Sequence, residues 1–403
     1  MQKRNFLLSS LALAVSCQVT SALAQKKYDP GASDTEIKIG QTMPYSGPAS
    51  AYGVIGKVQA GYFKMINEQG GVNGRKINFI SLDDGYSPPK TVEMVRRLVE
   101  QDEVLLLMNT LGTPSNTAIH RYVNSKKVPH LFLATGASKW NDPKRYPWTI
   151  GFNTNYHSEG MLYAKDILKN KPNAKIGVLV QNDDYGKDYL NGFKEGLGDK
   201  AKTMIISEVT YEVTDPTIDS QIVTLKGSGA DTFFNITTPK FAAQAIRKVD
   251  DIGWKPTHYL NQVSASIGSV LKPAGIEKAV GVISMQYIKD PTEKRWENDP
   301  TMKEFMAFMK KYVPDASPED ANTTYGYAVA QLMVHVLKQA GDNLTRENIM
   351  KVVSNIKNHQ IPMAIPGVLA NTAPDDFALF QMMQLIKFDG KTWVPYGEPM
   401  AVK

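Results

Sequence analysis

The residues best placed to do chemistry are hydroxyls, amides and small residues in loops that follow apolar strand-like runs. Gly112-Thr113-Pro114-Ser115-Asn116-Thr117 opens a helix, and a helix start has unmet N–H groups and a partial positive charge that suit a carboxylate. Ser115 adds a hydroxyl there. In Ala134-Thr135-Gly136-Ala137-Ser138, Gly136 and Ala137 let a ligand approach the backbone, and Ser138 offers a second hydroxyl. Three loops farther on have the same character: Asn182-Asp183-Asp184-Tyr185-Gly186, Thr237-Thr238-Pro239-Lys240-Phe241 and Asn261-Gln262-Val263-Ser264. Tyr45 and Tyr52 belong to the first such loop. Each residue alone reads as readily as a cap or a packing group. Together, Tyr45, Tyr52, Ser115, Gly136, Ala137, Ser138, Tyr185, Thr237, Thr238 and Gln262 outline a cleft with donors on one side and aromatic and amide groups on the other.

The chemistry is recognition, not reaction. There is no Gly-x-Ser-x-Gly elbow and no His-Glu-x-x-His pair. His120, His130, His157, His258, His335 and His359 are scattered without ligand spacing, so no metal site is expected. Gly227-Ser228-Gly229 precedes a strand and lacks a third glycine, which argues against a dinucleotide site. No catalytic residue and no cofactor is assigned; the chain reads as a binder and not an enzyme, with an enzyme on the same scaffold as a rival.

These loops need strands to aim them. Glu36–Thr42 and Lys76–Leu82 read as strands, as do the apolar runs Val104–Met108, Pro129–Ala134 and Trp148–Phe152, with helices between. The rhythm restarts with a helix at His157–Leu168. Strands follow at Lys175–Val180, Thr203–Glu208, Asp231–Ile236, His258–Gln262 and Val280–Gln286. Near-continuous apolar strands alternating with helices predict parallel sheets covered on both faces. Open sheets of this kind bind ligands beyond the carboxyl ends of their strands, where the hydroxyl loops lie. Pro300–Ile356 is mostly helical, and its aromatic and methionine stripe is read as core. Phe377–Phe388 alternates as a terminal strand, and Asp389-Gly390 marks the hairpin after it. Crossovers between two lobes are expected near Thr154, near Tyr287 and near Gly367–Pro374.

The chain has 403 residues, 42% hydrophobic and 21% charged, which suits two globular lobes. Residues 1–24 read as a secretory signal peptide cleaved after Ala24: Lys3 and Arg4, an apolar run from Phe6 to Val15, then Ala22-Leu23-Ala24. This predicts a periplasmic protein whose exported part has no cysteine, since Cys17 is the only one. Lipidation at Cys17 is the alternative, opposed by Ala14 where leucine is usual. The net charge of +6 falls to about +4 without the leader, too weak for a nucleic-acid binder.

In order and spacing, several segments resemble the solute-binding receptors of branched-chain amino acid (leucine/isoleucine/valine-type) ABC transporters, the type I periplasmic binding proteins. They are Ile37–Gly40 with Pro44–Gly47, Gly70–Gly74, Leu82–Asp84, Pro129, Asp184–Gly186 and Tyr325–Ala328. The resemblance implies an α/β fold of two Rossmann-like lobes with mostly parallel sheets and a three-crossover hinge. Lobe 1 is expected at 34–154 plus 288–370, lobe 2 at 155–287 plus 371–403. It also implies a monomer that closes on a small ligand and delivers it to a membrane permease; a sensor subunit is the other reading. Ser115 and Gly136–Ser138 match the family's carboxylate-binding positions, Tyr185 its second-lobe tyrosine, and Thr237–Pro239 the loop that follows. Amino-acid binders place an acid in the loop aligned with Asn261–Ser264, where this chain has none. A buried ammonium without a partner costs several kcal/mol, so a carboxylate ligand without an α-amino group is expected. Tyr45, Tyr52, Tyr185, Phe241 and Tyr259 are the expected ring-friendly wall. A branched-chain or other amino acid is the alternative ligand.

Overall fold

The computed structural model describes residues 26–401; the expected leader and Cys17 lie outside them. The first sheet has five parallel strands, β1 (Glu36–Met43), β2 (Lys76–Asp83), β3 (Leu106–Met108), β4 (His130–Leu133) and β5 (Thr149–Gly151), in the order β2-β1-β3-β4-β5. Every residue of β3, β4 and β5 is buried. Such strands need cover on both faces. Helices α1 (Gly53–Glu68), α2 (Pro88–Glu100) and α3 (Thr113–Ser125) follow the first three strands in turn.

The second sheet holds β6 (Ile176–Gln181), β7 (Ile205–Tyr211), β8 (Thr232–Ile236), β9 (Thr257–Leu260), β10 (Ile283–Gln286), β11 (Met382–Phe388) and β12 (Trp393–Pro395). Their order is β12-β11-β10-β9-β8-β6-β7, and Met400–Ala401 adds to β11. The βα part is parallel. Strand β11 returns antiparallel to β10, with Ile283 opposite Lys387, and the Asp389-Gly390 turn joins it to β12. Helices α4 (Tyr156–Asn170), α5 (Asp184–Leu197), α6 (Asp219–Gly227) and α7 (Pro239–Asp251) belong to this half. The chain then supplies α8 (Pro300–Tyr312), α9 (Ala321–Ala340) and α10 (Arg346–Val353), and α8 and α9 pack on α1 of the first half. The expected α/β architecture of two mostly parallel sheets is what the chain adopts.

Several strand boundaries differ from the sequence reading; Val104, Gln262 and Val280, for example, fall outside their strands. Strand β7 starts at Ile205, not Thr203, because Ala201–Met204 forms an extra helical turn, and it runs on to Tyr211. Strand β11 starts at Met382, after an irregular stretch where Phe377 had suggested a strand.

The chain passes between the sheets three times: after β5, after β10 and before β11. Each passage contributes one aromatic ring to a shared cluster. Phe152 lies 5.2 Å from Phe380 and 6.4 Å from Tyr287, and Tyr287 lies 5.1 Å from Phe380. All three are buried. Non-local contacts of this kind fix the three strands of the connection to one another, whatever the sheets do on either side.

Candidate functional site

A space lies between the carboxyl ends of the two sheets. Both halves furnish its wall, from the loops that leave their strands. From the first half come Tyr52 and Ile55 before and within α1, Tyr86 after β2, Leu111, Gly112 and Thr113 after β3, Ala134 after β4, and Asn153 after β5. From the second half come Tyr156 at the start of α4, Tyr185, Thr238, Gln262, Val263 and Ser266. The start of α9 closes the space with Ala321, Asn322 and Tyr325. No Asp, Glu, Lys or Arg is among these residues.

Helix α3 begins at this wall. Gly112 holds φ at +97°, and a Cβ there would stand 2.5 Å from Cε2 of Tyr86, so only glycine lets that ring lie over the helix start. Tyr86 itself has φ +59°, a strained value for an aromatic residue. Thr113 Oγ1 is 2.7 Å from Thr135 Oγ1, tying the β3 and β4 loops together. Across the space, the Thr238 N–H donates to the Tyr211 hydroxyl (3.0 Å), which donates to Gln181 Oε1 (2.8 Å).

Burial pushes the hydroxyls of Tyr52, Tyr86, Tyr156, Tyr185 and Tyr325 above their ordinary pKa, so all five stay protonated. Tyr325 donates to Asn153 Oδ1 (2.7 Å) and accepts from Asn109 Nδ2 (3.1 Å). Tyr185 accepts from Asn261 Nδ2 (2.8 Å), which leaves its own proton to be given elsewhere. Tyr52 donates to the Val263 carbonyl (3.1 Å), a bond from one half to the other.

Behind the wall lies Glu159 of α4, fully buried. Its Oε1 accepts from the Gln262 N–H (2.8 Å) and the Tyr163 hydroxyl (3.1 Å), and its Oε2 from the Tyr189 hydroxyl (2.7 Å). Tyr189 in turn stacks on Tyr156 at 4.5 Å. One carboxyl therefore holds a backbone turn and an aromatic stack that both face the space. Burial pushes its pKa up to about 7, against the pull of its three donors.

The structure brings together Tyr52, Tyr185, Thr238 and Gln262 of the ten residues singled out in the sequence, and places the other six away from the space. Ser115 turns from the wall toward α2, its Oγ 2.9 Å from Thr91 Oγ1. Ser138 gives its N–H (2.8 Å) and hydroxyl (2.7 Å) to Asp188 of α5. Gly136 is wedged, since a Cβ would sit 2.1 Å from the Thr154 carbonyl, and Ala137 donates its N–H to Thr135 Oγ1 (3.2 Å). Thr237 bonds to Asn235 and Asn261 inside the second sheet. Tyr45 reaches Ser81 at 2.6 Å and packs against α1. The expected ring wall changes likewise: Phe241 packs on Tyr211 at 4.4 Å, and Tyr259 donates to Asp166 at 2.7 Å. Tyr86, Tyr156 and Tyr325 take their place.

Several contacts join the halves around the rim. Ser138 meets Asp188, and Lys139 meets Asp184 at 2.8 Å. Ser266 donates to Asp320 Oδ1 at 2.8 Å, and Lys272 pairs with Glu319. The histidines stay apart from the space, although His335 and His359 stack at 3.8 Å. Among the described residues no group of three or more His, Cys, Asp or Glu is placed to hold a metal.

The chain is similar to known proteins. The periplasmic binding protein family matches residues 36–390. The chain is 25% identical over 329 residues to Leu/Ile/Val-binding protein homolog 1 of Brucella suis biovar 1, covering 79% of this chain and 82% of that protein. Its fold is similar to a branched-chain amino acid ABC transporter structure from Thermus thermophilus with bound valine (TM-score 0.82, 16% identity, 92% and 97% of the two chains). It is also similar to a solute-binding protein of an ABC transporter from Rhodopseudomonas palustris in complex with 3,4-dihydroxybenzoic acid (TM-score 0.76, 18% identity, 91% and 98%). A match spanning nearly all the described residues, with both sheets and the space between them in place, makes this chain a member of the periplasmic binding protein family.

Proposed function

We propose that the chain is the solute-binding subunit of an ABC importer, acting outside the cytoplasm, and that it captures a small carboxylate-bearing organic acid without an α-amino group. One observation carries this reading: the wall of the space has no charged side chain. An ammonium there would find no carboxylate, and Glu159 already accepts from three donors. A carboxylate fares better. It can take charge-assisted hydrogen bonds from the start of α3, from Thr113 and from the free proton of Tyr185. Five tyrosines with Ile55, Leu111 and Val263 supply an apolar, ring-accepting surround. The ligand binds the first half; closure adds Tyr185, Thr238 and Gln262, excludes water and strengthens the carboxylate bonds. The closed monomer then docks on a membrane permease.

An amino acid is the second reading, favoured by the relative named for leucine, isoleucine and valine and by the fold neighbour that holds valine. Calorimetric titration with cinnamate and with leucine separates the two. Cinnamate binding with no leucine heat is expected. Tight leucine binding with no cinnamate binding overturns the organic-acid reading.

A further inference from the structure

Beyond the partition formed by Gln262, Ala321 and Tyr325 lies a second, smaller pocket, on the hinge side. Those three residues stand in both walls, so the two spaces adjoin. The far side of the second pocket has Gln286, Lys289 and Asp290. Gln286 is the last residue of β10, just before the chain crosses between the halves. It is 5% exposed, and neither its Nε2 nor its Oε1 has a hydrogen-bond partner. A buried amide with both polar atoms unmet is rare in native proteins and points to a partner the protein chain does not supply. Lys289 gives one of its three N–H donors to Asp299 (2.8 Å), whose carboxylate balances its charge. Asp290 accepts at Oδ1 from the N–H and hydroxyl of Thr292 (2.9 and 2.5 Å).

We propose that this hinge pocket is a subsite for the far end of the ligand and takes a hydroxyl, which accepts from Gln286 Nε2 and donates to Gln286 Oε1 or Asp290. The chemistry of the wall selects among groups. A carboxylate would stand against Asp290 and leave Gln286 Oε1 unmet. An ammonium would leave Nε2 unmet. A methyl group would leave both. The proposal rests on the organic-acid reading above and narrows it to hydroxylated acids long enough to pass the Gln262–Tyr325 partition.

The test uses three pairs of increasing length on the full exported chain: benzoate and 4-hydroxybenzoate, phenylacetate and 4-hydroxyphenylacetate, cinnamate and 4-hydroxycinnamate. In at least one pair the hydroxylated member is expected to bind about tenfold tighter. Gln286→Leu should erase that preference while leaving the parent acid's affinity within about twofold; Gln286→Met repeats the test with a more flexible side chain. Equal affinities within all three pairs in the unaltered protein overturn the subsite, whether or not the variants fold, and mean that the pocket holds water only. A preference that survives both substitutions overturns it too. Failure of all six acids alongside tight leucine binding strikes the organic-acid reading instead, and the subsite with it.

Discussion

Replacing Glu159 by Gln tests the electrostatics of the site directly. The substitution keeps volume and shape. The amide oxygen can still accept from Gln262 and Tyr163, and the Tyr189 hydroxyl can turn to accept from the new NH2 group. What changes is titration. Burial raises the native carboxyl to about 7, whereas an unfolded chain ionises glutamate near ~4.3. A native pKa above the unfolded one means the folded state holds its proton longer. The stability this gives is complete below ~4.3 and is lost as pH rises to about 7. Each tenfold in proton affinity is ~1.4 kcal/mol, so the wild type should lose ~3 kcal/mol from this group between pH 5 and 8. Other groups titrate in the same window. Asp290, also raised to about 7 by burial, acts in the same direction. His130 and His258, pushed down to about 3 by burial, act in the opposite one, since their neutral native forms gain stability as pH rises toward ~6.5. These contributions are common to both proteins and cancel in the difference. Urea denaturation at pH 5, 6, 7 and 8 should therefore show the Gln variant gaining ~3 kcal/mol on the wild type across the series, at unchanged m-value. A difference that stays flat with pH refutes the reasoning: the three donors would then outweigh burial and keep Glu159 ionised throughout.

Asp188→Ala removes two charge-assisted bonds that exist only where the halves meet. With ~2 kcal/mol lost from the closed form after solvent replaces part of the interaction, affinity for the ligand should fall ~30-fold, measured by calorimetry, with the fold retained by circular dichroism; unchanged affinity would show the clasp to be incidental to closure. Phe380→Ala opens a cavity in the aromatic cluster shared by the three crossovers. It should cost ~3–5 kcal/mol in urea denaturation, and a loss below ~1 kcal/mol would mean that the hinge collapses around the missing ring.

The loops were legible in the sequence, but the side chains within them were only partly so. Strand ends are set by apolar runs, and the rule that ligands lie beyond the carboxyl ends of open sheets named stretches after β3, β4, β6, β8 and β9 that line the space. Which residue of a stretch faces inward depends on local geometry. Thr113 and Ser115 share the first turn of α3, yet two helical positions turn a side chain through ~200°. The one therefore meets the wall and the other meets α2. Ser138 lies in a short helical turn that carries it outward to Asp188. Tyr86 follows β2 in a left-handed conformation that sequence gives no reason to expect of tyrosine. Asn153 and Tyr156 were findable, since they sit directly after β5 as the other loops sit after their strands. Tyr325 was read as core from its helical spacing. Its ring does pack on Phe152 at 5.2 Å, but the same side chain carries a hydroxyl to Asn153 and forms part of the wall.

A wall without formal charge can still choose between charged ligands, because selection follows from what is left unmet. Desolvating a carboxylate against N–H and hydroxyl donors replaces each water bond with a fixed one. Desolvating an ammonium in the same place requires acceptors. Here the Asn261 amide donates to Tyr185 and so frees the Tyr185 proton for a ligand, whereas Tyr325 and Tyr52 spend theirs on Asn153 Oδ1 and the Val263 carbonyl. The donors left for an anion are Tyr185, Thr113 and the N–H groups at the start of α3. On the proposed reading, selection of an anion rests on these few donors and on a wall without a carboxylate, and the glutamine substitution at Glu159 perturbs the turn at Gln262 that flanks them.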